Sequence, residues 1–267
     1  MNLETNINNS VNGKEVSRFD VSNIIILVTG TTIEPFSQNW KECERTWIPE
    51  LRKMGYKVMV ALGNPDLETE WKIDGDIIWF KAEDTKYGLY DKSIRLPIKW
   101  ILEETNYQYY FRIDSDSFVA PKRFHLMLKQ NLTEVPTIDY MGCIHPYDGF
   151  NPHEMFRFWK CYEGYMASGC GYMISRKAMK IAQQYMRIDG ERDYTFDDWV
   201  LGRAMWENKI YVFHDSRILF ESKYKKLLND TNNIGTPDIT EPESHLAIQH
   251  YMNGYMEEAM VKLGYRN

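Results

Sequence analysis

Residues 109–119 read YYFRIDSDSFV and place two aspartates, Asp114 and Asp116, directly after an aromatic and apolar run. The run is typical of a buried strand, and on an extended segment side chains two positions apart point to the same face. Two carboxylates so close repel each other, and a cation relieves the repulsion. Because hard oxygen ligands favour Mg²⁺ or Mn²⁺, we expect a divalent metal at this strand tip. The alternative is that one aspartate caps a helix while the other is solvated.

The composition is that of an ordinary globular protein whose 267 residues suit one large α/β domain or two small ones. A net charge of −6 argues against a nucleic-acid partner, because a phosphate-binding surface needs an excess of basic residues. The early apolar run Ile24–Val28 is too short to span a bilayer, and no signal peptide precedes it. Four cysteines without metal-site spacing predict reduced thiols in a cytoplasmic protein: Cys43, Cys143, Cys161 and Cys170.

The chain alternates between strand and helix patterns after a polar, asparagine-rich stretch, residues 1–20, that is typical of a disordered tail. Strands are predicted at NIIILVTGTT, YKVMVALG, DGDIIWFKA and YYFRID, and helices at ECERTWIPELRKMG and DKSIRLPIKWILEET. This β-α-β-β-α-β order predicts an α/β protein with a mostly parallel sheet that binds ligands at the carboxyl ends of its strands. The polar clusters TGTT and DSDS fall at those ends.

A second acidic cluster lies in YTFDDWVLGRAMW, residues 194–206, where Asp197 and Asp198 precede apolar residues suited to a core-facing helix. Acidic residues at a helix N-terminus favour the helix dipole and cap the first turn, which would explain one aspartate without any function. Two aspartates between Phe196 and Trp199 are less well explained in that way. A partly buried carboxylate at this position would suit a general base.

Two histidines end strand-like segments. His250 follows HLAIQ and precedes Tyr251 and a predicted helix in NGYMEEAMVKL, whereas His214 follows KIYVF and precedes Asp215. An imidazole at a strand tip can complete a metal shell begun by carboxylates, although a single histidine is more often a packing or surface residue. We favour His250, because Asp215 could hold His214 in a simple hydrogen-bonded pair.

Several of these segments together resemble the β-1,3-glycosyltransferases that include Fringe and the core β-1,3-galactosyltransferases. FRIDSDSFV is similar to that family's strand and D-x-D segment, and EGYMASGCGYMISRKAM is similar to its glycine-rich stretch. FDDWVLG resembles its acidic motif, and HLAIQHYM resembles its late apolar-then-histidine segment. The resemblance covers about residues 23–262. It implies a GT-A domain over 21–267, with a nucleotide-binding half of about 21–120 and an acceptor-side half of about 121–267.

The resemblance also implies a UDP-sugar donor, a divalent metal (Mn²⁺ or Mg²⁺) and a carbohydrate acceptor. Asp116 would ligate the metal, Asp114 would touch the metal or the ribose, and His250 would complete the shell. Asp198 would take the proton of the acceptor hydroxyl in an inverting reaction, with Asp197 as the second candidate because adjacent acids cannot be ranked by spacing. The remaining residues implied to surround the donor are Thr29, Gly30, Thr31, Arg45, Asp84, Lys92, Ser115, Gly169 and Gly171.

The chain departs from the family pattern in three respects. Ser115 replaces the usual central aspartate of the metal motif, and Gly88-Leu89 stands where the family has Asn-Leu. Family members in the secretory pathway carry a membrane anchor and several disulfides, and neither is evident here. These departures indicate a soluble bacterial, phage or viral enzyme of the cytoplasm, or of the host cytoplasm for a virus.

Three other protein classes fit part of the pattern. A nucleotidyltransferase acting on sugar phosphates would use acids, a metal and an α/β sheet, but TGTTIEPF lacks the basic residue expected in a triphosphate-binding loop. A glycoside hydrolase would use two carboxylates without a metal. A non-catalytic carbohydrate- or nucleotide-binding protein could keep the fold without turnover.

Overall fold

The computed structural model describes residues 19–85, 91–135, 137–144, 167–188, 197–219, 240, 244, 246–249, 252 and 255–266. The strands are β1 (Ile24–Thr29), β2 (Lys57–Gly63), β3 (Trp71–Asp74), β4 (Ile77–Phe80), β5 (Tyr109–Asp114), β6 (Phe118–Val119), β7 (Tyr140–Ile144), β8 (Ala167–Ser175), β9 (Phe213–His214), β10 (Ile218–Leu219) and β11 (Ile248–Gln249). The helices are α1 (Ser37–Arg45), α2 (Ile48–Lys53), α3 (Leu96–Glu104), α4 (Pro121–Glu134), α5 (Arg176–Ile188), α6 (Asp197–Glu207) and α7 (Met256–Lys262).

Eight of these strands form a central sheet in the order β3-β4-β2-β1-β5-β8-β7-β9, and β10-β11-β6 form a small second sheet. Strand β1 pairs in parallel with β2 and β5, β2 pairs in parallel with β4, and β7 pairs in parallel with β9. Antiparallel pairs join β3 to β4 and β8 to both of its neighbours. The mostly parallel α/β fold predicted from the sequence is therefore confirmed.

Helices cover both faces of the central sheet, and the alternation of side chains along β1 shows why. Ile24, Ile26 and Val28 face a core built with α1, α2, α4 and α7, whereas Ile25 and Leu27 face a second core built with α3, α5 and α6. All five side chains are fully buried. A strand buried on both faces is continuously apolar, which accounts for the run in NIIILVTGTT. Each such side chain stabilises the fold by about 1.5–3 kcal/mol.

Two predicted elements are divided in the structure. The predicted helix ECERTWIPELRKMG is the end of α1 followed by α2, because Thr46 leaves the helical conformation and Pro49 lies in the first turn of α2. The predicted strand DGDIIWFKA is wrong at its start, since β3 and β4 form an antiparallel hairpin that turns at Gly75. Gly75 has a φ of 60°, a conformation that glycine adopts without strain.

The predicted helix DKSIRLPIKWILEET begins later than expected. Residues Asp91–Arg95 form one π-helical turn, and the α-helix begins at Leu96 with Pro97 in its first turn. This position tolerates proline because its missing N–H has no partner inside the helix.

The structure tests only part of the predictions about the N-terminal tail, the cysteine thiols and the absence of a membrane span. Most of the predicted tail, residues 1–20, lies outside the described residues. Cys43, Cys143 and Cys170 are buried and form no disulfide bond within the described part of the chain, and Cys161 is not among the described residues. Within the described part of the chain, no helix is long and apolar enough to cross a membrane.

Candidate functional site

The carboxyl ends of β1 and β5 lie side by side, as the sequence predicts. Thr29 is in register with Asp114, and the Ser115 amide donates to the Thr29 carbonyl at 3.2 Å. The Ser117 amide then donates to the Asp114 carbonyl at 3.0 Å, so the D-x-D segment turns immediately after the strand. The hydroxyl of Thr29 is buried and has no hydrogen-bond partner among the described residues. TGTT and DSDS therefore meet at one edge of the sheet.

Gly30 and Thr31 continue from β1 over the side chain of Trp40. A Cβ atom added at Gly30 would lie 2.8 Å from the Trp40 ring, closer than real contacts allow. The Trp40 indole donates to the Thr31 carbonyl at 2.9 Å, and the buried Thr31 hydroxyl accepts from the Ile33 amide at 3.1 Å. Helix α1 thereby fixes the path of the loop at the predicted nucleotide pocket.

Lys92 is the buried cation of this edge and binds the loops after β1 and β4 together. Its Nζ atom donates to the Gly30 carbonyl at 2.8 Å, to Asp84 Oδ1 at 3.0 Å and to the Thr85 carbonyl at 3.2 Å. Asp84 Oδ2 in turn accepts from the amide and the hydroxyl of Thr32, at 2.7 and 2.6 Å. Asp84 and Lys92 are thus brought together with Gly30, as the resemblance implied.

The ionisation of this pair follows from its surroundings. Burial lowers the pKa of Lys92, and its hydrogen bond with Asp84 opposes that shift. Burial alone would raise the pKa of Asp84, but the Thr32 hydrogen bonds and the charge of Lys92 outweigh it and hold the pKa below its usual value. The carboxylate is therefore ionised at neutral pH, beside a buried ammonium group.

Arg112 is a site residue that the sequence analysis missed. It lies two positions before Asp114 on β5, and its Nη2 atom is 2.7 Å from Asp114 Oδ1, while its side chain is only 2% exposed. The guanidinium group also lies 5.6 Å from the centre of the Tyr172 ring. An arginine inside an otherwise apolar strand was the available signal, because positions i and i+2 share a face. One oxygen of Asp114 is therefore held by Arg112.

Asp116 has a different environment from Asp114. Burial raises its pKa to about 6, although the charge of Arg112 opposes the shift. The Cys43 thiol lies beneath this turn, 3.1 Å from the Ser115 carbonyl. A carboxylate removed from water in this way carries a charge that a bound cation would stabilise.

His250 lies outside the described residues, but the chain on both sides of it is placed next to the D-x-D segment. Gln249 is in antiparallel register with Phe118, and the Met252 amide donates to the Asp116 carbonyl at 2.8 Å.

His214 lies on β9, the edge strand of the central sheet, three strands away from β5. Arg112, Tyr172, Gly142 and His214 form one row across β5, β8, β7 and β9. Three strand spacings separate the ends of this row, about 14 Å between backbones. The carboxylate of the following residue, Asp215, binds Arg217 and Asn131, each at 2.6 Å.

Asp197 and Asp198 begin α6, as the sequence predicts. The Asp198 side chain is partly buried, and α6 packs against β8 and against the Asp91–Arg95 turn that carries Lys92. The side chain of Asp197 is not among those described. The partial burial expected of a general base is thus present at Asp198.

Arg45 and Gly171 do not face the cluster around Lys92. Arg45 is exposed on the last turn of α1, where its carbonyl accepts a hydrogen bond from Arg266. Gly171 faces the other side of the sheet, where an added Cβ would lie 3.0 Å from Ile248 and 3.2 Å from Phe111. Gly169 lies on β8, and its surroundings are outside the described part of the structure. The close packing of β11 against Gly171 therefore explains why a glycine stands at this position.

A complete metal shell is not visible in the described part of the chain, where no group of three or more histidine, cysteine, aspartate or glutamate side chains could hold a metal ion. Asp114 and Asp116 are two carboxylates of the predicted ligand set, and the predicted third ligand, His250, is not described. The described residues fit a cation in that Asp116 is a half-buried carboxylate whose charge a cation would stabilise.

Comparison with known proteins identifies the class and then the family. Residues 45–216, more than half of the chain, match the Galactosyltransferase family, so the chain belongs to that family and is a glycosyltransferase. No curated protein matches the chain.

Solved structures resemble it at low identity. A glycosyltransferase involved in the glycosylation of the major capsid of PBCV-1 is 13% identical, with a TM-score of 0.48 over 91% of this chain and 99% of that chain. The galactosyltransferase LgtC, in complex with donor and acceptor sugar analogs, is 11% identical, with a TM-score of 0.46 over 91% and 95% of the two chains.

Proposed function

We propose that this glycosyltransferase is metal-dependent and inverting, and that it moves a hexosyl or pentosyl group from a UDP-sugar to a hydroxyl of a carbohydrate acceptor. The observation that carries the proposal is the pair of carboxylates Asp114 and Asp116 at the carboxyl edge of the sheet, within a chain of the galactosyltransferase family. Its resemblance to β-1,3-glycosyltransferases supports a β linkage in the product.

Asp116 would hold the divalent cation, Mn²⁺ or Mg²⁺, together with His250 and Asp114. The approach of residues 249 and 252 to the D-x-D segment supports this ligand set. When bound, such a cation stabilises the negative charge that develops on the leaving diphosphate. Arg112 keeps Asp114 in place through the 2.7 Å ion pair, so the position of that carboxylate does not depend on the metal.

The donor would lie over the ends of β1 and β5. Thr29, Gly30 and Thr31 form the edge, and Lys92 and Arg112 place two buried positive charges beneath it. Fixed cations near a diphosphate favour both its binding and its departure, because the interaction is strong where water is excluded. Lys92 is paired with Asp84 and Arg112 with Asp114, so the excess positive charge at the diphosphate would have to come from the bound cation.

Asp198 would act as the general base. Its carboxylate accepts the proton of the acceptor hydroxyl while the hydroxyl oxygen bonds to the anomeric carbon and the bond from that carbon to the UDP oxygen breaks. Attack from the side opposite to UDP inverts the configuration, so an α-linked donor gives a β-linked product. The partial burial of Asp198, on a helix packed against the turn that carries Lys92, supports this role.

The test begins with a panel of UDP-sugars and simple glycans assayed with Mn²⁺ and then with excess chelator. We expect turnover with Mn²⁺, loss of turnover with chelator, and recovery when Mn²⁺ is restored. Asp116→Asn should lower turnover at least a thousandfold, because removing an anionic ligand removes the cation that stabilises the leaving group. Asp74→Asn is the matched control, because Asp74 is exposed in the hairpin at the opposite end of the sheet.

Three outcomes would contradict the proposal. Full activity in chelator would exclude a metal-dependent transferase, and chelator-insensitive release of sugar to water would indicate a glycoside hydrolase. Binding of the donor without turnover of any acceptor would indicate a non-catalytic protein.

A further inference from the structure

A cleft of about 370 Å³ opens at the amino-terminal edge of the central sheet, opposite to the D-x-D segment. Ile25 of β1 and Met59 of β2 line it, together with residues of β3 and of the end of α3. Ile25 and Thr29 lie at opposite ends of β1, about 13 Å apart. The cleft is thus separate from the candidate catalytic site.

Three aromatic side chains form its apolar walls: Trp71, Trp100 and Tyr107. Trp100 is almost fully buried and fixed in the core of α3, whereas Trp71 and Tyr107 are partly exposed. The ammonium group of Lys99 lies 5.9 Å from the centre of the Trp71 ring and holds that ring against the helix. Flat aromatic faces in a concave, rigid setting are a common element of small-molecule sites.

Two groups of opposite charge stand beside the aromatic rings. Lys57 lines the cleft and pairs with Asp76 at 3.0 Å. Glu104 also lines the cleft and is exposed, and it has no ion-pair partner within the part of the chain that the structure describes. Because Asp76 already neutralises Lys57 and Glu104 is acidic, the cleft offers no excess positive charge for a phosphate or a nucleotide. It offers instead one hydrogen-bond donor group and one strong acceptor group.

We propose that this cleft is a second binding site, specific for a neutral saccharide. A pyranose ring has an apolar C–H face that would pack on Trp71 and Tyr107, and a rim of hydroxyls that would bond to Glu104 and Lys57. A purely apolar ligand would bury both charged groups without giving them partners, which is unfavourable. The ligand class agrees with the galactosyltransferase family, and the site requires neither the metal nor the donor of the proposed function.

The experiment titrates the full chain, without metal or nucleotide, with methyl β-galactoside, methyl α-glucoside, lactose and maltotetraose, and follows binding by saturation-transfer NMR and calorimetry. At least one saccharide should bind. Trp71→Ala should weaken that binding at least tenfold, because it removes an aromatic wall, and Glu104→Ala should weaken it severalfold, because it removes the acceptor. Trp79→Ala is the matched control, since Trp79 lies on the same hairpin but packs against the core on the other face of the sheet.

Asp116→Asn separates this site from the catalytic one, and it should leave saccharide binding unchanged. If circular dichroism shows that Trp71→Ala does not fold, the Glu104→Ala variant tests the proposal, because Glu104 is exposed and its replacement does not disturb the core. The proposal is wrong if no saccharide binds, if binding survives Glu104→Ala together with a folded Trp71→Ala, or if Trp79→Ala or Asp116→Asn abolishes it. It is equally wrong if an apolar dye binds the cleft and none of the saccharides competes with it.

Discussion

Two lysine–aspartate pairs lie at opposite ends of the central sheet with the same Nζ–Oδ1 distance of 3.0 Å. Lys92 and Asp84, at the carboxyl edge, are 1% and 10% exposed, whereas Lys57 and Asp76, at the amino edge, are 40% and 46% exposed. The exposed pair gains little, because water and salt screen it. The buried pair has lost its water and depends on its partners. Two ion pairs of equal distance therefore differ in their importance for stability, because only one of them is buried. The buried pair lies at the edge of the sheet where the charged donor is proposed to bind.

The largest effect expected from this difference is on catalysis. Asp198→Asn should lower turnover by about two to four powers of ten, the usual contribution of a general base, with little change in UDP binding. Asp76→Asn, at the amino edge, should leave turnover unchanged. Product analysis by NMR should show a β-linked sugar from an α-linked donor. A product with the donor's configuration would exclude both Asp198 as the base and the inverting mechanism, and loss of activity in Asp197→Asn alone would make Asp197 the base.

The next effect concerns stability and compares the two lysines directly. Lys92→Met should lower the free energy of unfolding by about 3–5 kcal/mol, because it leaves Asp84 buried and two backbone carbonyls without their donor. Lys57→Met should change it by less than about 1 kcal/mol, as for other exposed pairs. Denaturant unfolding of both variants measures the difference. Equal losses would show that burial does not distinguish the two edges.

The third effect is also on stability, but here the substitution is expected to stabilise the protein. The folded-state pKa of Asp116, about 6, lies above its ordinary value of 3.8, so its contribution to stability is present below pH 4 and is lost as the pH rises through 6. Metal-free Asp116→Asn should therefore be more stable than the parent protein by about 1–3 kcal/mol at pH 7.5 and equally stable at pH 4. Thermal unfolding across this pH range tests the sign. A variant that is less stable at pH 7.5 would mean that the carboxylate is satisfied without a metal.

The smallest effect separates the two histidines. His250→Ala should weaken Mn²⁺ and UDP-sugar binding about tenfold or more, whereas His214→Ala, about 14 Å from β5, should change neither. Calorimetric titration with Mn²⁺, with and without UDP, measures both. The reverse pattern would make His214 the ligand and His250 a packing residue.

Much of the fold follows from the sequence because local pattern and tertiary context agree there. NIIILVTGTT contains a continuous apolar run, YYFRID is apolar except for Arg112 and the final aspartate, and both become strands buried on two faces over most of their length. The hairpin of β3 and β4 was missed because WKID, although its apolar and polar residues alternate, is only 4 residues long and mostly exposed. The division between α1 and α2 was marked by Pro49, which reads equally as an interruption or a first-turn residue.

The candidate site residues that follow the ends of strands were predicted from the sequence. Arg112, which lies inside a strand, was missed. The D-x-D aspartates and the residues of TGTT meet as expected, because parallel strands end at one edge. Arg112 was missed although an arginine inside an apolar strand, two positions before Asp114, was a visible signal for this ion pair. The role of Thr32 was missed because its hydrogen bonds to Asp84 join residues that are far apart in the sequence. The metal ligands Asp114, Asp116 and His250 stay a prediction.

The hydrogen bond from the Met252 amide to the Asp116 carbonyl has a consequence for the order in which the protein becomes active during refolding. The two residues are more than half the chain apart, so β6 receives its β11 neighbour only after a very long loop has closed. Closure of long loops is entropically costly, and contacts of high sequence separation slow folding. Helices such as α4 rest on local bonds and can regain their circular dichroism early. Recovery of Mn²⁺ binding should therefore trail recovery of helix signal after dilution from denaturant.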